Sequence, residues 1–136
     1  ATYTDSGLSA SITPTSSSNK ILIMIDQSYQ YLRGVVDQGM GYRLLRDSTV
    51  IHTPPDSTTG GYWNYIDNTG EHDAFAHLIY LDSPATTSSV TYKTQGRPYT
   101  TANTGRIRFQ VAGTNDDGLS SIILMEVVAW LEKEMQ

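Results

Sequence analysis

Two stretches of this chain are apolar at both odd and even positions. Residues 20–26 read KILIMID and residues 121–130 read SIILMEVVAW. Successive side chains of an extended strand point to opposite faces, so a strand built from either stretch is greasy on both sides. In the second stretch one face is Ile123, Met125, Val127 and Ala129. The other is Ile122, Leu124, Val128 and Trp130, interrupted by Glu126. A strand of a two-layer sandwich has one face on the core and one facing out. When the outward face is also apolar, another surface must cover it, and a further subunit is the economical candidate. The alternative is a long loop or the N-terminal segment folded over it. Ile21, Ile23, Ile25, Ile122, Leu124 and Val128 are therefore expected to supply core and subunit packing.

A helix competes for residues 122–133, but the β-branched residues and the lack of a polar stripe before Glu132 favour a strand. Residues 130–136 are expected to form a short C-terminal extension, frayed or as a helical turn.

Elsewhere the pattern is the ordinary one for half-buried strands. Ile107, Phe109 and Val111 alternate with Arg106, Arg108 and Gln110, and Val90 and Tyr92 alternate with Thr91 and Lys93. Further strands are expected at 8–12, 41–46, 49–52 and 75–81. Clusters of Ser, Thr, Gly, Asn and Pro (TPTSSSN, TPPDSTTGG, DSPATTSS, TTANTG, GTNDDG) separate them. Short strands with turns at steady intervals predict an all-β chain, an antiparallel jelly-roll-like β-sandwich. A length of 136 residues suits one domain, taken as 1–136.

The totals exclude several function classes. Formal net charge is −5 with only nine basic residues, which argues against nucleic acid as a partner. There is no cysteine, so disulfides, thiolate nucleophiles and cysteine metal sites are absent. No apolar run approaches the roughly 20 residues of a spanning helix. The opening ATYTDSG has no signal-peptide pattern and begins with Ala, which reads as a processed product or a piece of a longer protein.

Catalytic patterns are missing. No G-x-S-x-G turn is present, no phosphate-cradling glycine loop precedes a helix, and Asp116-Asp117-Gly118 reads as a turn and not a calcium loop. Of the three histidines, His52, His72 and His77, the last two are five residues apart, so one strand puts them on opposite faces. No metal site and no cofactor are expected, and Glu71-His72-Asp73 reads as a solvated turn entering the strand at Phe75. No residue is assigned a catalytic role.

Aromatics are the remaining unusual feature. Nine tyrosines and two tryptophans stand against two phenylalanines. Tyr29, Tyr31, Tyr62, Trp63, Tyr65 and Tyr99 fall in or beside expected loops, and GGYWNY at 60–65 is the sharpest patch. Tyr and Trp offer an apolar face with a polar handle, suited to sugar stacking and protein interfaces. The same residues also suit packing beneath their own loops or along a subunit seam.

Four blocks carry a resemblance: ITPTSSSNKILIMI (12–25), GYRLLRDSTVI (41–51), LIYLDSPATTSSVTYKTQ (78–95) and SSIILMEVVA (120–129). Together, in this order, they resemble a domain of phage tail fibres and related structural proteins. The resemblance implies an extracellular virion protein, a trimeric β-sandwich at or near the receptor-binding tip of a longer fibre. The ending WLEKEMQ departs from the family's pattern, and residues 47–72 match it least. The expected partners are the chain's own copies, a host-surface polysaccharide or outer-membrane protein, and other virion proteins. The expected contact surface is the loop 58–65 with Tyr62, Trp63 and Tyr65, joined by Arg33 and Tyr99. The competing expectations are a capsid decoration protein without a receptor and, from the enzyme class, a polysaccharide depolymerase, for which the chain is short.

Overall fold

A computed structural model of the chain describes residues 2–33, 38–53, 62–66, 70–98, 106–110 and 118–129, with backbone alone at 31–33, 38 and 62–66. The described residues are all-β, with nine strands and no helix. The strands are β1 (Thr4–Ile12), β2 (Lys20–Arg33), β3 (Gln38–Arg46), β4 (Thr49–His52), β5 (Tyr62–Ile66), β6 (Gly70–Asp82), β7 (Val90–Pro98), β8 (Arg106–Phe109) and β9 (Ser121–Val127). They form two antiparallel sheets. A five-stranded sheet has the order β1-β7-β3-β4, with β5 also paired to β3. A four-stranded sheet has the order β6-β2-β8, with β9 also paired to β2.

The two sheets share one core. Ile21, Ile23, Ile25 and Tyr29 point inward from β2 and meet Met40, Tyr42 and Leu44 of β3 and Val90 and Tyr92 of β7. Ala76 and Leu78 add the inner face of β6, and Ile107, Phe109, Ile122 and Leu124 pack against the cluster from β8 and β9. Gly96 allows the layers to approach: a Cβ there would run into the Phe109 ring. Burying each such aliphatic or aromatic side chain contributes about 1.5–3 kcal/mol.

Two polar ties cross between the sheets. At one level the carbonyl oxygen of the Gln27 side chain accepts hydrogen bonds from the Tyr42 hydroxyl (2.6 Å) and the Thr94 hydroxyl (2.7 Å). At another, Asp82 at the end of β6 accepts from Tyr92 Oη (2.7 Å) and from an Arg46 guanidinium nitrogen (2.7 Å). Burial, and for Tyr92 also the Asp82 carboxylate, pushes both tyrosines well above the usual phenol range, so they remain donors.

The ends of the sandwich have their own lock. Oε1 of Glu126 accepts from the Thr15 backbone N–H (2.6 Å), Thr15 Oγ1 (2.9 Å) and Asn19 Nδ2 (2.7 Å). Asn19 in turn accepts the Ala129 N–H at 3.2 Å. The glutamate that interrupts the apolar pattern of β9 therefore fastens the β1–β2 turn to the last strand.

Three local expectations change. The strand expected at 75–81 begins at Gly70, because pairing with β2 continues as far as Arg33↔Gly70; Glu71, His72 and Asp73 belong to the strand and not to a turn. The 20–26 strand runs on to Arg33, so Tyr29 is a core residue (1% exposed) and not a loop aromatic. Tyr62–Ile66 is a strand paired to β3 and not the end of a loop.

Two outcomes follow for stability. Asp82→Asn leaves the partly buried Arg46 without its carboxylate and weakens two charge-assisted bonds, and denaturant unfolding should show a loss of about 1–3 kcal/mol. The Glu126 carboxyl is held below its usual value of 4.5, chiefly by the Asn19 amide and then by the Thr15 N–H. A depressed carboxyl contributes stability above its unfolded pKa and loses it as pH falls through the folded value. Thermal midpoints should therefore drop below about pH 4.5, and Glu126→Gln should shallow that acid limb. It should not abolish it, because Asp5 is lowered as well, first by the Gln95 amide and then by Lys93.

Candidate functional site

The two outer faces of the sandwich differ in kind. On the five-stranded sheet the outward side chains form a polar ladder. Lys93 Nζ meets Asp5 at 2.9 Å, Gln95 Nε2 donates to the same carboxylate at 2.5 Å, and Arg43 donates twice to Gln95 Oε1 at 2.8 and 2.6 Å. The Arg43 guanidinium also lies 4.1 Å from the centre of the Tyr3 ring. The ladder is finished in water, and only Leu45 and Val50 bring apolar side chains to the described part of this face.

The outward face of the four-stranded sheet is not. Its rows follow from the register. Leu22 of β2 lies between Leu81 of β6 and Met125 of β9, and Met24 lies between Ile79 and Ile123. Ile79 is 74% exposed, Ile123 52%, Met125 50% and Leu81 48%. Phe75, 48% exposed, extends the patch along β6 and stacks against the His77 ring at 6.2 Å between centroids. Scattered single apolar residues are normal on a surface, but a contiguous block of this kind marks an interaction site. Among the described residues nothing covers it.

The packing residues named from sequence divide between the layers. Ile21, Ile23 and Ile25 are core, at 0, 0 and 4% exposure. Ile122 and Leu124 are partly buried against that core. Val128 lies past the end of β9 and is 68% exposed, so it contributes nothing to the core. The outward residues of β9 are those of opposite parity, Ile123 and Met125.

Beyond the apolar rows lies a polar one. Asp26 is flanked by His77 on β6 and Ser121 on β9, with His77 Nδ1 3.1 Å from Asp26 Oδ1. Ser, His and Asp on one face suggest a relay, but the order is wrong. The triad needs histidine between serine and aspartate. Here aspartate is in the middle, and with strands about 4.8 Å apart the serine and histidine are separated by about 10 Å. The row borders a shallow hollow with Met24, Ile79 and Ile123 along its floor and sides. His72 and His77 occupy opposite faces of β6, and among the described residues no three His, Cys, Asp or Glu side chains gather as a metal site.

Three aromatic contact candidates, Tyr62, Trp63 and Tyr65, lie in β5 of the other sheet. Tyr62 and Tyr65 pair by backbone with Gly41 and Gly39 of β3, and Trp63 stands between them in β5. Pro98, the residue before Tyr99, pairs with Met40. β2 ends at Arg33 and β3 begins at Gln38, so the backbone of Arg33, of Tyr62, Trp63 and Tyr65, and of Pro98 belongs to one end of the sandwich. The side chains of those candidates, all of Tyr99 and the segment 58–61 lie outside the described residues.

In the single chain Ile79 touches mostly water, so Ile79→Asp should leave that chain folded, changing its unfolding free energy by no more than about 1 kcal/mol. At dilutions where the chains stand apart it should still lower the binding of an apolar-surface dye to the folded protein, a pairing that a core position would not give.

Searches against protein-family models, curated proteins and solved structures each returned no match, so the outward apolar face stands on its own geometry as the candidate site.

Proposed function

We propose that this chain is a virion subunit, the tip domain of a phage tail fibre, which works as a homotrimer and holds host-surface molecules with one end of its sandwich. The observation that carries the reading is the apolar block of half-buried Leu22 and Met24 with exposed Ile79, Leu81, Ile123 and Met125, on a sheet whose partner sheet carries a polar ladder on its outer face. Turning three such faces toward a common axis removes them from water and leaves the polar ladders outside. Closed cyclic assemblies of identical chains are the economical way to do so. The four sequence blocks that resemble tail-fibre domains support the virion setting. The chain's alternation between sheets, from β1 to β2 to β3 and again from β6 to β7 to β8, supports the jelly-roll-like arrangement.

The receptor end in this reading is the one that carries Arg33 and β5, with Tyr62, Trp63, Tyr65 and Tyr99 as contacts for a host polysaccharide or outer-membrane protein. Three weak sites on one particle gain through effective concentration what each lacks alone. Other virion proteins would hold the opposite end.

Light scattering on the purified chain should give a mass of about 45 kDa, three times 15.0 kDa. A stable 15.0 kDa species at micromolar concentration sinks the trimer. Alanine at Tyr62, Trp63 and Tyr65 should reduce adsorption of the particle to cells at least tenfold. Adsorption that does not change favours a capsid decoration role for the same fold.

A further inference from the structure

We infer that the two edges of the four-stranded sheet are the two halves of one seam, along which the sheet of each copy continues into that of the next, with β6 of one chain beside β8 and β9 of its neighbour. Three observations converge on it.

The first is the state of the edges. β6 is an edge strand of thirteen residues, and its pairing with β2 runs from Ile21↔Asp82 to Arg33↔Gly70 without a register shift. It contains no proline and no lysine. The edges of the other sheet are blunted: β1 is shifted between Asp5 and Ser9, and β4 and β5 are four and five residues long with shifts in their pairing to β3. A long, straight, undefended edge presents N–H and C=O groups to another strand.

The second is length and direction. The opposite edge is made of β9, along residues 20–26 of β2, and β8, along residues 29–32. End to end they cover the stretch of β2 that β6 covers on its other side. Both are antiparallel to β2, as β6 is, so β6 runs parallel to them. A copy rotated about an axis along the strands therefore arrives with its β8 and β9 parallel to β6, the head-to-tail relation that closes a ring.

The third is side-chain complementarity, level by level. Opposite Leu22 and Met24, the β6 edge carries Leu81 and Ile79 while the far edge carries Met125 and Ile123. Opposite Gln30 and Leu32, the β6 edge carries Asp73 and Glu71 while the far edge carries Arg108 and Arg106. Apolar meets apolar and acid meets base along the same line. All four charged residues are exposed, and neither arginine has an ion-pair partner among the described residues. Asp73 accepts one amide hydrogen, from Gln30 Nε2 at 3.0 Å. A pairing of β6 with its own copy would leave both arginines unused. The occupant that supplies both halves is a second copy of this chain. That the ring closes at three rests on the trimeric reading; the seam does not.

The test is a charge exchange read by light scattering. Glu71→Lys with Asp73→Lys should drop the mass from three chains to one, and Arg106→Glu with Arg108→Glu should do the same. All four changes in one chain should restore the three-chain mass. Circular dichroism should show all variants folded, since every altered side chain is exposed. A second measurement uses the absence of cysteine. Asp73 and Arg108 flank Gln30 on either side of β2, about 10 Å apart, beyond the roughly 7 Å limit for a disulfide. Asp73→Cys with Arg108→Cys should therefore cross-link only between copies, giving a covalent trimer on a non-reducing gel, while each single change should give none. A trimer indifferent to every charge change, or one in which Asp73→Cys alone cross-links as well as the pair, overturns the seam and leaves the trimeric reading standing. A monomeric unmodified protein overturns both.

Discussion

The rest of the structure depends on β2 being a central strand that is apolar on two faces. Its inward residues, Ile21, Ile23, Ile25, Gln27 and Tyr29, are all buried, none more than 4% exposed. Its outward residues, Leu22 and Met24, sit under neighbours from strands on both flanks. The inner side is covered by the chain itself, through Tyr42, Leu44, Val90 and Tyr92. The outer side has only its own sheet. Hydrophobic burial is non-directional and large compared with the net stability of a domain, so a face left in this condition biases the molecule toward any surface that can close over it.

Direction comes from the polar ties. Gln27, Tyr42 and Thr94 at one level and Asp82, Arg46 and Tyr92 at another join the sheets by hydrogen bonds that only one register satisfies. A slip of one residue would carry Ile21, Ile23 and Ile25 to the outer face and strand these polar groups. The packing supplies most of the energy, and the ties select which packing.

What was legible in the sequence was local. The alternation of Ile107 and Phe109 with Arg106 and Arg108 reads correctly because it needs no knowledge of partners, and the 49–52 strand coincides with β4. The doubly apolar stretches point to an outer face that asks for cover. What failed depended on residues distant in the chain. The continuation of β2 past Asp26 looks like a loop because it reads QSYQYLR. Gln27 and Gln30 are nonetheless buried there, with bonding partners on β3, β7 and β6. Glu126 looked like a flaw in an apolar face until its three donors were seen to come from the β1–β2 turn. The match of Glu71 and Asp73 to Arg106 and Arg108 is invisible in one dimension, because it exists only once β2 has set all four at corresponding levels.

The pairing of β9 with β2 has a consequence in time. Ile123 and Met125 reach Met24 and Leu22 from the far end of the chain. During synthesis β2 and β6 emerge long before β9, so the outward face stays incomplete until nearly the last described residue has left the ribosome. Local pairing can form early, whereas such long-range closure is slow. Among the described strands β9 is the last to be made, so the surface that invites a neighbour is completed after the other strands exist. A chain cut before β9 keeps only the rows that β2 and β6 supply, Leu22 with Leu81 and Met24 with Ile79, and loses the far edge of the sheet with Ile123 and Met125.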